Sequence, residues 1–232
     1  MKRILVFLNL LFVCSYPLLA QNDLMEELNE ETKTNLTFDP PAFKAMKIGN
    51  LQSTKIGDKG DLYLYVSHRF GPLKNGFDTF FGLDNAITKI QLAYSFWNGV
   101  QLSVSRESYN RTLASALKFM LVKQSNRFPL TIVGYSTINI NTLLDKNNFP
   151  ELQPSDRYSY ANQLLISRRF SNNFSLELAP SYVRQNLQDL NIVAKAQHNQ
   201  FAMGFGGRLK MSKRMSLNAE YIHNFSRPSN SP

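Results

Sequence analysis

The chain of 232 residues has one cysteine, one tryptophan and three histidines. Cys14 lies within an apolar leader, so an exported chain would carry no thiol, which excludes a disulfide framework and thiol chemistry. Val13 stands where a small residue should precede a lipidated cysteine, so a lipoprotein anchor is not indicated either. His68, His198 and His223 are far apart, with no pair at a metal-ligand spacing. Charged residues make up 19% of the chain, below the roughly 25% usual in soluble domains. Mean hydropathy is nonetheless slightly negative, unlike a helical membrane protein. No Gly-x-Ser-x-Gly elbow occurs. Ser67 and His68 are neighbours on a strand, point to opposite sides and cannot form a nucleophile–base pair. Gly204-Phe205-Gly206-Gly207 lies in an alternating stretch, where glycine permits close packing or a bend more readily than it cradles a phosphate. The sequence therefore assigns no catalytic residue, cofactor or metal, and the protein is expected not to be an enzyme.

What is present begins with an export label. Lys2 and Arg3 precede an apolar run from Ile4 to Leu19, followed by Leu18-Leu19-Ala20-Gln21. This is the pattern of a signal peptide for the general secretory route, cleaved after Ala20. Loss of Lys2 and Arg3 leaves 24 basic against 17 acidic residues. The bases are scattered and match no nucleic-acid module, so no nucleic acid is expected. Phosphates of outer-membrane lipid and lipopolysaccharide suit them better; a solvated surface is the plainer alternative. Residues 21–57 read as a periplasmic N-terminal arm. It is acidic at Asp23, Glu26, Glu27, Glu30 and Glu31, is broken at Asp39-Pro40-Pro41, holds one short helix at most, and is read as a flexible lead-in, with docking of a partner the alternative.

From Gly60 onward the period changes to two. Thr88, Ile90, Leu92, Tyr94 and Phe96 alternate with Lys89, Gln91, Ala93 and Ser95, and Met215, Leu217, Ala219 and Tyr221 with Ser216, Asn218 and Glu220. Such alternation predicts strands with one apolar and one polar face. Nine are expected, at 60–70, 86–96, 100–106, 112–123, 130–141, 159–170, 174–184, 199–211 and 215–225. Three turns share one form: Phe96-(Trp97-Asn98-Gly99)-Val100, Phe170-(Ser171-Asn172-Asn173)-Phe174 and Met211-(Ser212-Lys213-Arg214)-Met215. Opposed hairpin residues must share a face, which favours three-residue loops with a left-handed last residue at Gly99 and Asn173. Arg214 fits that role less well. A two-residue Asn-Gly turn would mismatch the faces of Trp97 and Val100. The links at 71–85, 107–111, 142–158 and 185–198 are longer, and the one at 124–129 is intermediate. Short and long links alternate, as in outer-membrane barrels with short periplasmic turns, and Phe96, Trp97, Phe170 and Phe174 would join the interfacial aromatic girdle.

The expected fold is all-β: an antiparallel up-and-down transmembrane β-barrel over residues 58–232. Nine strands is an odd count for a bacterial barrel, so the C-terminal strands are expected to be missing from this sequence.

Ser67-His68-Arg69-Phe70-Gly71, Phe81-Gly82-Leu83-Asp84, Ser105-Arg106-Glu107-Ser108-Tyr109-Asn110-Arg111-Thr112 and Lys118-Phe119-Met120-Leu121 resemble segments of an uncharacterised family of bacterial outer-membrane β-barrels, classed as a domain of unknown function. The resemblance runs from about Phe43 onward. It implies a barrel and brings no established activity or catalytic residues with it; a Gram-negative source and a porin-like barrel are expected of the chain as a whole.

By the alternation, Arg69, Lys89, Gln91, Gln101, Glu107, Lys118, Gln163, Arg169, Glu177, Arg208, Lys210, Asn218 and Glu220 face the lumen. Charges there either set a pore's selectivity or cross-pair and fill it. Arg208 should oppose Asn218 and lie diagonal to Glu220. His68 should face lipid near the outer interface. The apolar loop 72–84 either packs its own aromatics on the rim or folds over the mouth. The resulting expectation is an integral outer-membrane barrel, a small-solute pore or a scaffold for an envelope protein partner. The alternatives are a lipid-acting barrel enzyme and a secreted soluble ligand-binding β-sandwich.

Overall fold

The computed structural model describes residues 40–71, 73–147, 149–186 and 198–226. The expected signal peptide, the acidic part of the arm, most of the 185–198 link and the C-terminal tail lie outside these residues. Nine strands form within them: β1 (Leu62–Arg69), β2 (Ile87–Trp97), β3 (Val100–Glu107), β4 (Leu113–Val122), β5 (Thr131–Ile140), β6 (Tyr158–Arg169), β7 (Phe174–Gln185), β8 (Asn199–Lys210) and β9 (Ser216–Asn224). All belong to one antiparallel sheet in chain order, β1 to β9. The sheet is open among the described residues, with β1 paired only to β2 and β9 only to β8. Each strand boundary falls within two residues of its expected place, because period-two patterning fixes which residues share a face.

One face of the sheet is apolar and bare. Leu64, Leu92, Leu102, Leu178, Phe205 and Tyr221 are all exposed. In water such a surface would be far larger than the few hundred Å² a soluble monomer tolerates. Among the described residues no second sheet packs on it, as a β-sandwich would require. No helix of the described residues is long and apolar enough to cross a membrane.

The turns partly depart from expectation. Between β2 and β3 the chain uses the two-residue Asn98-Gly99 turn, with Trp97 opposite Val100. A bulge between Ser95 and Trp97 absorbs the extra residue and restores the face match. Gly99 is left-handed as required (φ 84°). The β6–β7 and β8–β9 turns do have three-residue loops, with Phe170 N–H donating to Phe174 O (3.0 Å) and Met211 N–H to Met215 O (3.0 Å). Neither Asn173 nor Arg214 is left-handed. A serine hydroxyl serves instead: Ser171 Oγ accepts from Asn173 and Phe174 N–H (3.2 and 3.1 Å), and Ser212 Oγ from Arg214 and Met215 N–H (3.3 and 3.1 Å). In the β1–β2 loop Phe77 and Phe81 pack edge to face at 4.9 Å. The aromatics thus pack on one another, while Phe77 stays 81% exposed.

Candidate functional site: the inner face and the segment that covers it

The polar face of the sheet is covered by residues 41–57. Ala42, Phe43, Met46, Leu51, Ser53, Thr54 and Ile56 are buried. The boundary expected at residue 57 therefore moves to Pro40/Pro41, where the compact unit holding all nine strands begins. The part of the expected arm from residue 41 onward is no flexible lead-in. Its apolar residues follow neither a two- nor a 3.6-residue period, so they advertise no element, yet they still require burial.

The segment folds as a tight hairpin. Ser53 N–H donates to Met46 O and Ile48 N–H to Leu51 O, both at 3.0 Å, around a single bridge between Lys47 and Gln52. Within the segment Ser53 Oγ also donates to Ala45 O (2.6 Å) and accepts from Lys55 N–H (3.2 Å); several other backbone groups bond outside it, and buried ones need partners. Side chains of the sheet supply them. The Glu220 carboxylate accepts from Asn50 N–H (2.7 Å) and Leu51 N–H (2.8 Å). Glu177 Oε2 accepts from Thr54 N–H (2.9 Å), and Thr54 Oγ1 meets Ser167 Oγ at 2.6 Å. Lys118 Nζ donates to Met46 O (3.3 Å) and Lys55 O (3.1 Å), and Arg208 donates to Ala42 O (3.3 Å). Lys118, Glu177 and Arg208 are buried as a result.

Apolar contacts complete the seal. Leu51 and Ile56 form a buried cluster with Val133, Leu165 and Ala179, flanked by Ile48, Met120 and Tyr135. Gly204 and Gly206 receive the hairpin: a Cβ on Gly204 would stand 2.7 Å from Leu51 Cδ1, and one on Gly206 2.2 Å from Ile48 Cδ1. The glycine run is thus a close-packing device rather than a phosphate loop.

The remaining inward residues do other work. Arg208 opposes Asn218 as expected, but Arg208 and Glu220 both bind the segment and make no ion pair with each other. Glu107 pairs with Arg69 (3.5 Å) and Lys89 (3.7 Å) at the long-loop end. Lys47 of the hairpin lies in the field of this cluster. Its burial pushes the ammonium below its ordinary value, Lys89 and Arg69 add to the effect, and Glu107 opposes it. Gln91 donates to Ser103 (3.1 Å), Gln101 to Ser95 (3.3 Å) and Gln163 to Ser181 (2.9 Å). Arg169 staples the turns: its N–H donates to Gln124 Oε1 (2.9 Å), and its guanidinium to Ser171 O (3.2 Å) and to Asn172. The Lys210 side chain is half-buried, and its backbone N–H donates to Asn173 O (2.7 Å). His68 stands on the apolar face, its Nδ1 3.0 Å from Thr88 Oγ1. Among the described residues no three His, Cys, Asp or Glu gather as a metal site would need.

An up-and-down antiparallel sheet with one bare apolar face and one polar face closed over an inner segment defines a membrane β-barrel. The chain belongs to the family of the membrane-bound beta barrel domain DUF5777, whose pattern matches residues 43–232. That match takes in residues 43–57 together with the strands. Comparison with curated proteins and with solved structures finds no match.

Proposed function

We propose that the protein is exported by the general secretory route, is cleaved after Ala20 and resides in the outer membrane as a barrel filled by its own residues 41–57. On this reading it is a scaffold for envelope partners rather than an open small-solute pore, and no catalytic step is assigned to it. One observation carries the reading: Lys118, Glu177, Arg208 and Glu220, the side chains best placed to line a pore, are spent on the backbone of one segment. A solute path would need them free to meet solute.

The test uses full-length protein taken from washed outer membranes. It should run as a band that shifts on boiling, start at Gln21 on N-terminal sequencing, and show no steady conductance in planar bilayers. Steady ion conductance by the unaltered protein would sink the scaffold reading in favour of the pore. Recovery in the soluble periplasmic fraction would sink the outer-membrane placement.

A further inference from the structure

The lipid-facing wall is not uniformly bulky. Pairing across β6–β9 sets Arg168 opposite Leu176, Leu176 opposite Gly207, and Gly207 opposite Ala219, one row over four strands. The row toward mid-strand is Ile166, Leu178, Phe205 and Tyr221. The row toward the turns ends on Phe174, Leu209 and Leu217. Two small residues between rows of large ones leave an apolar groove of about 600 Å³, within the ~300–1,000 Å³ of small-molecule sites. Arg168 lines it, exposed, with its guanidinium 4.9 Å over the Phe170 ring.

Glu177 and Glu220 also border the groove, but their carboxylates accept from the inner segment on the opposite face of the sheet; the links at this end are one-sided in charge. The short links after β4, β6 and β8 add exposed Arg127, Lys213 and Arg214. Residues 123–130, 168–176 and 209–216 contain no Asp or Glu. The β5–β6 link at the opposite end instead mixes Asp145, Glu151 and Asp156 with Lys146 and Arg157. At the short-link end Asp58 and Asp61 precede β1, on the far side of the sheet order from the groove.

We propose that this groove binds an acyl chain of an anionic glycerophospholipid, whose phosphate is held by Arg168 at the membrane interface. A guanidinium offers a planar fork to phosphate oxygens, and stacking on Phe170 holds it where aromatic residues mark headgroup depth. Neighbouring cations favour a headgroup that carries net negative charge. A second groove of about 570 Å³ on the same wall, lined by Leu164, Pro180, Tyr182, Phe201 and Phe225 among others, has no charged lining residue and takes lipid without headgroup preference. The proposal depends on the wall facing lipid and is independent of whether the lumen conducts.

The experiment is native mass spectrometry of the full chain in detergent micelles with phosphatidylglycerol, phosphatidylcholine or lipid A. Phosphatidylglycerol should be retained over phosphatidylcholine, and Arg168→Gln should cut that retention roughly fivefold, the factor expected for one surface cation. Gly207→Leu fills the groove and should abolish retention while leaving the charge intact. Its new Cβ meets only Leu176 Cδ2, at 3.5 Å, so the variant should fold and keep its boiling shift. Arg106→Gln, on β3 at the long-loop end and away from the groove, should change nothing. Equal retention of the two phospholipids, preference for lipid A, an unaltered Arg168→Gln, or an equal loss in Arg106→Gln would each overturn the proposal.

Discussion

Glu220 and Glu177 act in this fold less as lumenal charges than as backbone acceptors. Each replaces water at an amide that the hairpin of residues 41–57 leaves without a partner. Where the amide is buried, as at Thr54, removing such an acceptor leaves the N–H unsatisfied, which costs about 1–3 kcal/mol. Glu177→Ala, which orphans the buried Thr54 amide, should therefore loosen the segment more than Glu220→Ala, whose two amides are exposed or part-buried and can take water, as read by protease cleavage within residues 41–57. Gly206→Val acts by sterics, since its Cβ cannot coexist with Ile48 Cδ1. It should expel the hairpin and open that cleavage site while the boiling shift of the sheet persists. Lys47 brings a pH term. Its ammonium is depressed where it lies, so on raising the pH the packed state loses this proton before the released one. Between the two values the released segment holds more protons, and packing gains stability as pH rises. Below the lower value both states are protonated and the penalty stays in full. Protection from protease should thus increase from neutral toward alkaline pH, and Lys47→Met should raise the neutral value and flatten the slope.

At the scale of elements, strands were legible and turns less so. Alternation is a direct consequence of backbone pleat, and Thr88–Phe96 states its faces without ambiguity. The turn between β2 and β3 departs from the expected three-residue loop because matching of faces alone does not foresee a bulge. The bulge at Phe96 moves one residue out of register, so Asn98-Gly99 becomes admissible. At the other two turns the signal lay in Ser171 and Ser212, whose hydroxyls cap two amides each. Serine does this routinely in turns. Ser171→Ala and Ser212→Ala should each lower stability by about 0.5–1.5 kcal/mol, whereas Gly99→Ala, forced to a positive φ, should lose about 1–2 kcal/mol. Unfolding in urea with the boiling shift as readout would rank them. The hairpin of residues 41–57 was illegible for a different reason. Ile48, Leu51 and Ile56 pack with side chains from four strands distant in sequence and over the glycines of β8, and no local period records that. Glycines at 204 and 206, two residues apart on the inward face, were the one sequence signal that something packs closely there.

For the whole molecule, the arrangement of faces decides what surrounds it. In hydrocarbon every backbone polar group needs a partner, so the free edges of β1 and β9 must be covered in the membrane, by each other or by further strands. The same argument makes the faces testable residue by residue. In a background with Cys14→Ser the chain has no other cysteine, and single cysteines can report on their surroundings. Leu92→Cys and Leu178→Cys lie on the bare apolar face. In native membranes they should resist a charged maleimide and react with a membrane-soluble one, because a charged reagent does not enter hydrocarbon. Ala179→Cys, one residue along β7 and fully buried under Leu51 and Ile56, should react with neither. Adding Gly206→Val should expose that cysteine to the charged reagent while leaving Leu178→Cys protected. Reaction of Leu178→Cys with the charged reagent in intact membranes would mean that this face meets water. Reactivity at Ala179→Cys without the second substitution would mean that the inner segment is not packed in the membrane-bound protein. The three positions together separate a lipid-embedded sheet with a filled interior from one that is merely apolar on one side.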